Sequence, residues 1–164
     1  MGIRSGAVIG TGFLLAASLL IAPTTALTVT DQTEGGIVLC FVPRRDEPFT
    51  LSFTHSMFGG EVRETYTLTT DAKLQRQEIT TANLAAAEYY AYTAGVSQAG
   101  ERYRLELPAA TFDRLDVLVD EVGHHRLSTA ERRVDLLAVT GDGHHVELQA
   151  QSLSLLTRLF TDGC

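Results

Sequence analysis

The chain has 164 residues, a length typical of one domain. Hydrophobic residues make up 45% of it and charged residues 20%, which excludes an intrinsically disordered chain. Acidic residues outnumber basic residues 20 to 13, so the composition argues against a nucleic-acid partner, which needs a basic face. Two cysteines are too few for a scaffold built on disulfides.

The first element is an apolar segment behind a single positive charge. Residues 6–22 contain no charged residue, follow Arg4 and end at Pro23. A positive residue, an apolar run and then small residues such as Thr24 and Ala26 form the layout of an export signal. With its flanks the run is also long enough to cross a bilayer. The segment therefore predicts a hydrophobic helix that is either a cleaved signal or an uncleaved anchor.

Both interpretations place the remainder of the chain outside the cytoplasm. Arg4 stays inside by the positive-inside rule, so the chain that follows is exported. We expect residues 1–30 to be a signal peptide or membrane anchor. We expect residues 31–164 to be an extracytoplasmic β-domain, held at the cell membrane or secreted.

Alternating apolar and polar residues dominate the rest of the chain, and this period of two is typical of strands. Residues 37–42 are apolar on both faces and predict a central strand that contains Cys40. Further strands are predicted from alternating runs at 49–54, 62–69, 102–107 and 115–119. Two later runs flank a Gly-Asp-Gly turn and predict a hairpin, with residues 134–138 paired to 146–150.

Two segments depart from the strand pattern. Residues 83–92 are rich in alanine and begin with the cap-type residue Asn83, which predicts a short helix or an ordered loop. Residues 152–160 carry an apolar stripe that predicts a closing helix. About eight or nine short antiparallel strands then predict a β-sandwich or an open barrel.

The sharpest local feature is the glycine pair Gly59-Gly60 between two alternating runs. A two-residue type I′ turn needs positive φ at both positions, which glycine adopts freely. A turn centred there places His55 directly opposite Glu64, on the apolar face that also holds Tyr66. The register sorts apolar residues to one face and hydroxyl residues to the other.

This pair, His55 and Glu64, is the candidate site. A carboxylate or an imidazolium buried alone is costly, whereas an opposed pair shares a hydrogen bond and a charge. One interpretation is a structural polar bridge within the sheet. The other is part of a pocket that binds a ligand or a metal ion.

Two neighbours of the pair, Ser56 and His125, carry side chains of the kinds used in nucleophilic catalysis or metal binding. Ser56 follows His55, but adjacent strand residues point to opposite faces, so we expect Ser56 to face Arg63. His125 shares a face with Leu127 and is expected to approach the interior. Three converging zinc ligands have no spacing signature here, and no nucleophile elbow is present. We assign no catalytic residue, no metal ligand and no cofactor.

The hairpin motif resembles a known family. Its strands read Pro-Phe-Thr-Leu-Ser-Phe-Thr-His-Ser at residues 48–56 and Glu-Val-Arg-Glu-Thr-Tyr at residues 61–66. They are similar to the signature of the prokaryotic family called domain of unknown function 1850, and residues 123–127 and 134–136 are similar to its later motif. The resemblance runs over about residues 36–150. It marks His55, Ser56 and Glu64 as motif positions, with Tyr66 and His125 beside them.

The resemblance implies a role beside a transporter. Members look like small exported or membrane-anchored proteins that are often encoded beside TRAP transporters of the TAXI subclass. This implies an accessory or binding module that contacts the solute-binding protein or a membrane subunit, without an established activity. The alternative is a small-molecule- or metal-binding enzyme that uses His55 and Glu64 as acid and base.

Overall fold

The computed structural model describes residues 23–44, 46–92 and 94–154. These residues form two short helices, α1 (Leu84–Ala91) and α2 (Leu136–Thr140), and twelve strands. The strands are β1 (Pro23–Asp31), β2 (Ile37–Phe41), β3 (Phe49–Thr54), β4 (Glu61–Leu68), β5 (Leu74–Thr81), β6 (Gly95–Ala99), β7 (Arg102–Glu106), β8 (Ala110–Phe112), β9 (Arg114–Val119), β10 (Arg126–Ser128), β11 (Arg133–Asp135) and β12 (His144–Ser154). The structure has more strands than the sequence predicts: no predicted run corresponds to β1, β5 or β6, nor to the three-residue strands β8 and β10.

The strands form two antiparallel sheets. The small sheet has four strands in the order β2-β1-β12-β9. The large sheet has eight strands, in the order β11-β10-β3-β4-β5-β7-β6, with β8 paired to β5. The predicted mainly β, antiparallel fold is confirmed, in the form of two sheets and not of a closed barrel.

The main core lies between the two sheets. Leu27 and Leu148 contribute from the small sheet, and Phe49, Leu51 and Tyr66 contribute from the large sheet. Each of these side chains is almost completely buried. The inward-facing side chains of the two sheets therefore pack against each other, as in other β-sandwiches.

Helix α1 covers a second part of the large sheet. Asn83 caps its first turn, accepting hydrogen bonds at Oδ1 from the backbone N–H groups of Ala85 and Ala86, so the predicted helix is confirmed. Its buried alanines pack with apolar residues of β4, β5 and β7, among them Val62, Ile79 and Leu105. The side chain of Phe53 packs against both cores, so α1 and the small sheet lie over neighbouring parts of the large sheet.

The prediction that residues 37–42 form a central strand is wrong, because β2 is an edge strand of the small sheet. The two inner strands are β1 and β12, and in β1 the residues Leu27, Thr28 and Val29 are all fully buried. An apolar run alone does not distinguish the two positions. Cys40 is buried and is not a free thiol; Cys164 lies outside the described residues.

The predicted hairpin of residues 134–138 with 146–150 is also wrong. Asp135 accepts a hydrogen bond from the backbone N–H of Leu137 at 3.1 Å and caps α2. Leu136 is fully buried in the core from the helix instead of from a strand. Strand β12 pairs with β1 and β9. Residues 152–154 belong to β12, and the remainder of the helix predicted at 152–160 lies outside the described residues.

Strand β1 begins at Pro23 and runs between β2 and β12. Residues 23–30 are therefore part of the β-domain, and the boundary predicted after residue 30 falls inside a strand. The predicted N-terminal hydrophobic helix lies outside the described residues. Among the residues described, no helix combines the length and apolar character needed to cross a bilayer.

Candidate functional site

The turn between β3 and β4 sets the geometry of the site. Thr54 pairs with Glu61 and Leu51 pairs with Glu64, which displaces the predicted register by four residues. Gly59 and Gly60 adopt positive φ values of 65° and 79°, as predicted. The turn nevertheless includes the residues from 55 to 60, so the predicted pairing of His55 with Glu64 is wrong. Both residues remain on the predicted face of the sheet. Side chains alternate between the two faces, so a displacement by an even number of residues leaves each one on the same face.

The His55 side chain explains the long turn. Its Nδ1 accepts hydrogen bonds from the backbone N–H groups of Met57 at 3.1 Å and Phe58 at 3.3 Å. The ring therefore accepts hydrogen bonds from two backbone N–H groups inside the turn. In the predicted two-residue turn, those two groups would belong to a strand. In the neutral ring the proton then sits on Nε2. The His55 side chain thus holds the conformation of the turn through two hydrogen bonds.

Three aromatic rings enclose the buried imidazole of His55. The ring centroids of Phe58, Tyr90 and Tyr89 lie 5.1, 5.4 and 5.5 Å from it. Nδ2 of Asn83 donates to the carbonyl oxygen of Phe58 at 2.8 Å, which ties the turn to the start of α1. The turn and α1 are thus one packed unit.

Ser56 lies in this turn and not on a strand. It is exposed and does not face Arg63, which pairs with Ser52. Ser56 and His55 are both among the residues that line one cavity.

Glu64 is held by Tyr66 on the same strand. The Tyr66 hydroxyl donates to Oε2 of Glu64 at 2.6 Å. The Tyr66 ring is buried and stacks on Phe49, with the centroids 5.6 Å apart. A rigid, buried hydroxyl thus fixes one oxygen of the carboxylate.

Burial dominates the electrostatics around Glu64. It raises the pKa of Glu64, against the opposing effects of the Tyr66 hydrogen bond and the Arg76 charge. Burial, together with the Glu64 charge, also raises the pKa of Tyr66. Burial, helped by the charges of Glu64 and Tyr89, raises the pKa of Tyr90 to about 12. The charge of Glu64 therefore acts on Tyr90 in α1 as well as on Tyr66 in its own sheet.

His125 occupies the approach to β10, where the two layers above the large sheet meet. Its ring stacks on Phe53 with the centroids 5.4 Å apart, and its Nδ1 is buried without a hydrogen-bond partner in the described chain. Burial lowers the pKa of His125, against the charge of Asp120. A Cβ on Gly123 would lie 2.6 Å from Nδ1 of His125, so only glycine leaves room for this ring. His125 is half-buried, with its ring against Phe53.

These residues line a groove over β3 and β4, between β9 and α1. One part, of about 390 Å³, is lined by Glu64, His125 and apolar residues of β3 and β9. The adjoining part, of about 210 Å³, is lined by His55, Ser56, Tyr90, Asp120 and His125, among others. Phe53, Leu118 and His125 line both parts. His55 and Glu64 thus border one groove from different ends without touching through a hydrogen bond.

Several groove residues were missed by the sequence analysis. In the sequence, Tyr90 and Leu118 are not distinguished from the other residues of a helix and a strand, and Asp120 and Gly123 have the character of loop residues. The one available signal was Gly123 two residues before His125. Among the described residues, no three His, Cys, Asp or Glu side chains are placed to hold a metal ion.

Comparison with known proteins gives one finding. A family model, described as domain of unknown function (DUF1850), matches residues 49–136. The match covers the turn, Glu64, Tyr66, α1 and His125. No curated protein and no solved structure matches the chain. Because the family model spans more than half of the sequence, the chain belongs to the family called domain of unknown function 1850.

Proposed function

We propose that this chain is an extracytoplasmic binding module that docks onto a subunit of a TRAP-type solute transport system. The observation that carries the proposal is that large apolar side chains of the turn, of α1 and of its C-cap residue are exposed. We call them the turn–helix surface: Met57, Phe58, Leu84, Tyr89 and Tyr92. Exposed apolar patches on a small domain mark interaction sites.

Tyr92 makes this surface unusual. Its side chain is 92% exposed although its backbone adopts a positive φ of 51°, a costly conformation for an aromatic residue. Strain of this kind is typical of functional positions. Tyrosine is also enriched in protein interfaces, where one ring buries a large apolar area.

The chemistry of the surface favours a protein partner. Helix α1 has no basic residue, and its charged residue, Glu88, is exposed. A surface without Lys or Arg lacks the attraction to anionic lipid headgroups that peripheral membrane binding uses. The family resemblance supports the solute-binding protein or a membrane subunit of the transporter as that partner.

Export by the N-terminal segment is part of the same proposal. The apolar run behind Arg4 supports a signal or anchor, and Cys40 is disulfide-bonded, a state typical of oxidising compartments outside the cytoplasm. In an uncleaved chain, β1 would start directly after the apolar run, at Pro23. The module would then sit close to the membrane that holds its partner.

The enzyme alternative has less support. His55 and Glu64 do not form the acid–base pair that it requires, and Nδ1 of His55 is occupied by two backbone N–H groups. Three rings enclose the His55 imidazole. These contacts favour a structural role for His55.

Co-purification from native membranes tests the proposal. The tagged chain is expected to recover transporter subunits, and the double variant Met57→Gln/Tyr92→Asn is expected to recover several-fold less. Both replaced side chains are largely exposed, so the fold is expected to persist. Val139→Gln, an exposed apolar position on α2, is the matched control. Recovery of the bare domain, or equal recovery by the double variant, would refute the proposal.

A further inference from the structure

We propose that the groove between β9 and α1 binds a small organic cation, an ammonium or guanidinium group on an apolar body, with the Glu64 carboxylate as its counter-ion. This goes beyond the docking role. None of the five residues of the turn–helix surface lines either part of the groove. The two proposals therefore succeed or fail independently.

The first step is the half-satisfied carboxylate of Glu64. Tyr66 occupies Oε2, whereas Oε1 receives no hydrogen bond from any residue that the structure describes. Arg76 acts on Glu64 through its charge, but its guanidinium donates to the carbonyl oxygen of Pro108 and lies over the Phe112 ring. One carboxylate oxygen in the wall of the groove is thus left for a ligand.

The second step is the shape and polarity of the groove. The larger part, about 390 Å³, lies within the range of roughly 300–1,000 Å³ that is typical of small-molecule sites. Its lining is about equally polar and apolar: apolar side chains of β3 and β9 alternate there with Glu64, Arg114, Asp116 and His125. A ligand that fits must therefore combine an apolar body with a polar group.

The third step is the sign of the charge. Asp116 and Asp120 add two carboxylates to the lining, and Arg114 is the one basic residue in it. The Arg114 guanidinium already pairs with Asp116 at 3.3 Å and with Glu147 at 3.4 Å. The net field in the groove is therefore negative, which favours a cation and repels a carboxylate or a phosphate.

His125 forms a wall that is shared by both parts of the groove. Its ring stacks on Phe53, and its Nδ1, which has no hydrogen-bond partner in the described chain, is buried close to Gly123. The ring therefore contributes to the shape of the groove, and the Glu64 carboxylate is the polar group offered to a ligand.

Phenethylamine and its neutral counterpart 2-phenylethanol test the proposal, because the two probes share one apolar body. Isothermal titration of the full chain is expected to show the amine binding at least about tenfold more tightly. Glu64→Gln is expected to remove this preference, and Glu88→Gln, at an exposed position, is expected to keep it. Since the cation binds the ionised carboxylate, affinity is expected to rise with pH as Glu64 loses its proton.

A second pair of variants guards against a folding defect. Leu118→Arg places a competing cation at an exposed wall of the groove and is expected to abolish amine binding, whereas Leu84→Arg, at a similarly exposed position on α1, is not. Equal binding of the two probes, or no binding up to about 10 mM, would overturn the proposal. Tighter binding of N-acetyl-lysine methylamide than of phenethylamine would overturn the small-molecule source of the cation in favour of a protein side chain.

Discussion

Glu64 is a residue at which burial and charge conflict. Its carboxyl lies under the small sheet and near α1, yet one hydroxyl, that of Tyr66, is its hydrogen-bond donor in the described chain. Burial raises its pKa, so the folded state holds the proton more tightly than the unfolded state does. Ionised Glu64 therefore costs stability, which is typical of a site that keeps a charge for binding.

Glu64→Gln is expected to change the pH dependence of stability in a defined direction. Below the ordinary pKa of 4.5 the carboxyl is protonated in both states, and the variant gains nothing from this effect. As pH rises, the unfolded chain ionises first, so the wild type loses stability until the folded carboxyl also ionises. The glutamine can still accept the Tyr66 hydrogen bond. Denaturant titrations between pH 4 and pH 8 should show the variant gaining stability relative to wild type; a constant difference would contradict the assigned pKa shift.

The strand pattern placed residues on the correct faces but not in the correct register. His55, Glu64 and Tyr66 share a face, as predicted, because a period of two is unchanged by an even displacement. The pairing failed because the His55 ring accepts two backbone N–H groups and lengthens the turn. No periodicity encodes that contact. The contact between the rings of His125 and Phe53 could not be predicted from the sequence either, because it depends on tertiary packing.

At the scale of elements, Asn83 couples α1 to the turn. Its Oδ1 caps the helix by accepting from Ala85 and Ala86, and its Nδ2 donates to the Phe58 carbonyl oxygen. A Cβ on Gly60 would lie 2.9 Å from the Cβ of Asn83, so the two elements are in close contact. One side chain thus links the two parts of the turn–helix surface.

Two substitutions separate the roles of Asn83. Asn83→Ala removes the cap and the link to the turn, and is expected to lower the free energy of unfolding by about 2 kcal/mol. Asn83→Asp keeps an oxygen for the cap but loses the donor, and is expected to cost about 1 kcal/mol. Urea denaturation of the three proteins measures both values. Equal losses for the two variants would show that the cap contributes nothing.

A polar residue before an element did not by itself decide its type from the sequence. Asn83 before an alanine-rich run predicted a short helix or an ordered loop, and the structure has the helix α1. Asp135 offered the same signal for α2, but the alternation of apolar residues at 134–138 favoured a strand. The short helix keeps Leu136 in the core, so burial alone did not distinguish the two structures.

For the whole molecule, the arrangement of layers explains where the groove lies. The small sheet and α1 both cover the large sheet, and they meet around Phe53, which packs against both cores. Strand β9 is the edge of the small sheet on that side. Its edge and the helix leave the groove open above β3 and β4, so the site arises from the junction of two covering layers.

The N-terminal boundary determines whether the small sheet is complete. Strand β1 lies between β2 and β12, and residues 23–26 pair with residues 151–154. Cleavage after Ala26, the position that the small residues Thr24 and Ala26 suggest, would remove these four residues from a central strand. Ala26 is itself fully buried. A chain that starts at Leu27 would therefore lack a buried, paired part of this strand.

A chain that starts at Leu27 is therefore expected to be less stable than one that starts at Pro23. An antiparallel ladder makes about one backbone hydrogen bond per residue, each worth about 0.5–1.5 kcal/mol, so the loss of four residues should be about 2–6 kcal/mol. Thermal and urea denaturation of the two chains measure the difference, and the mature N-terminus found by mass spectrometry on membrane and soluble fractions gives the natural start. Equal stability of the two chains, together with a natural start at Leu27, would show that β1 is dispensable before that residue and that the export signal ends inside the strand.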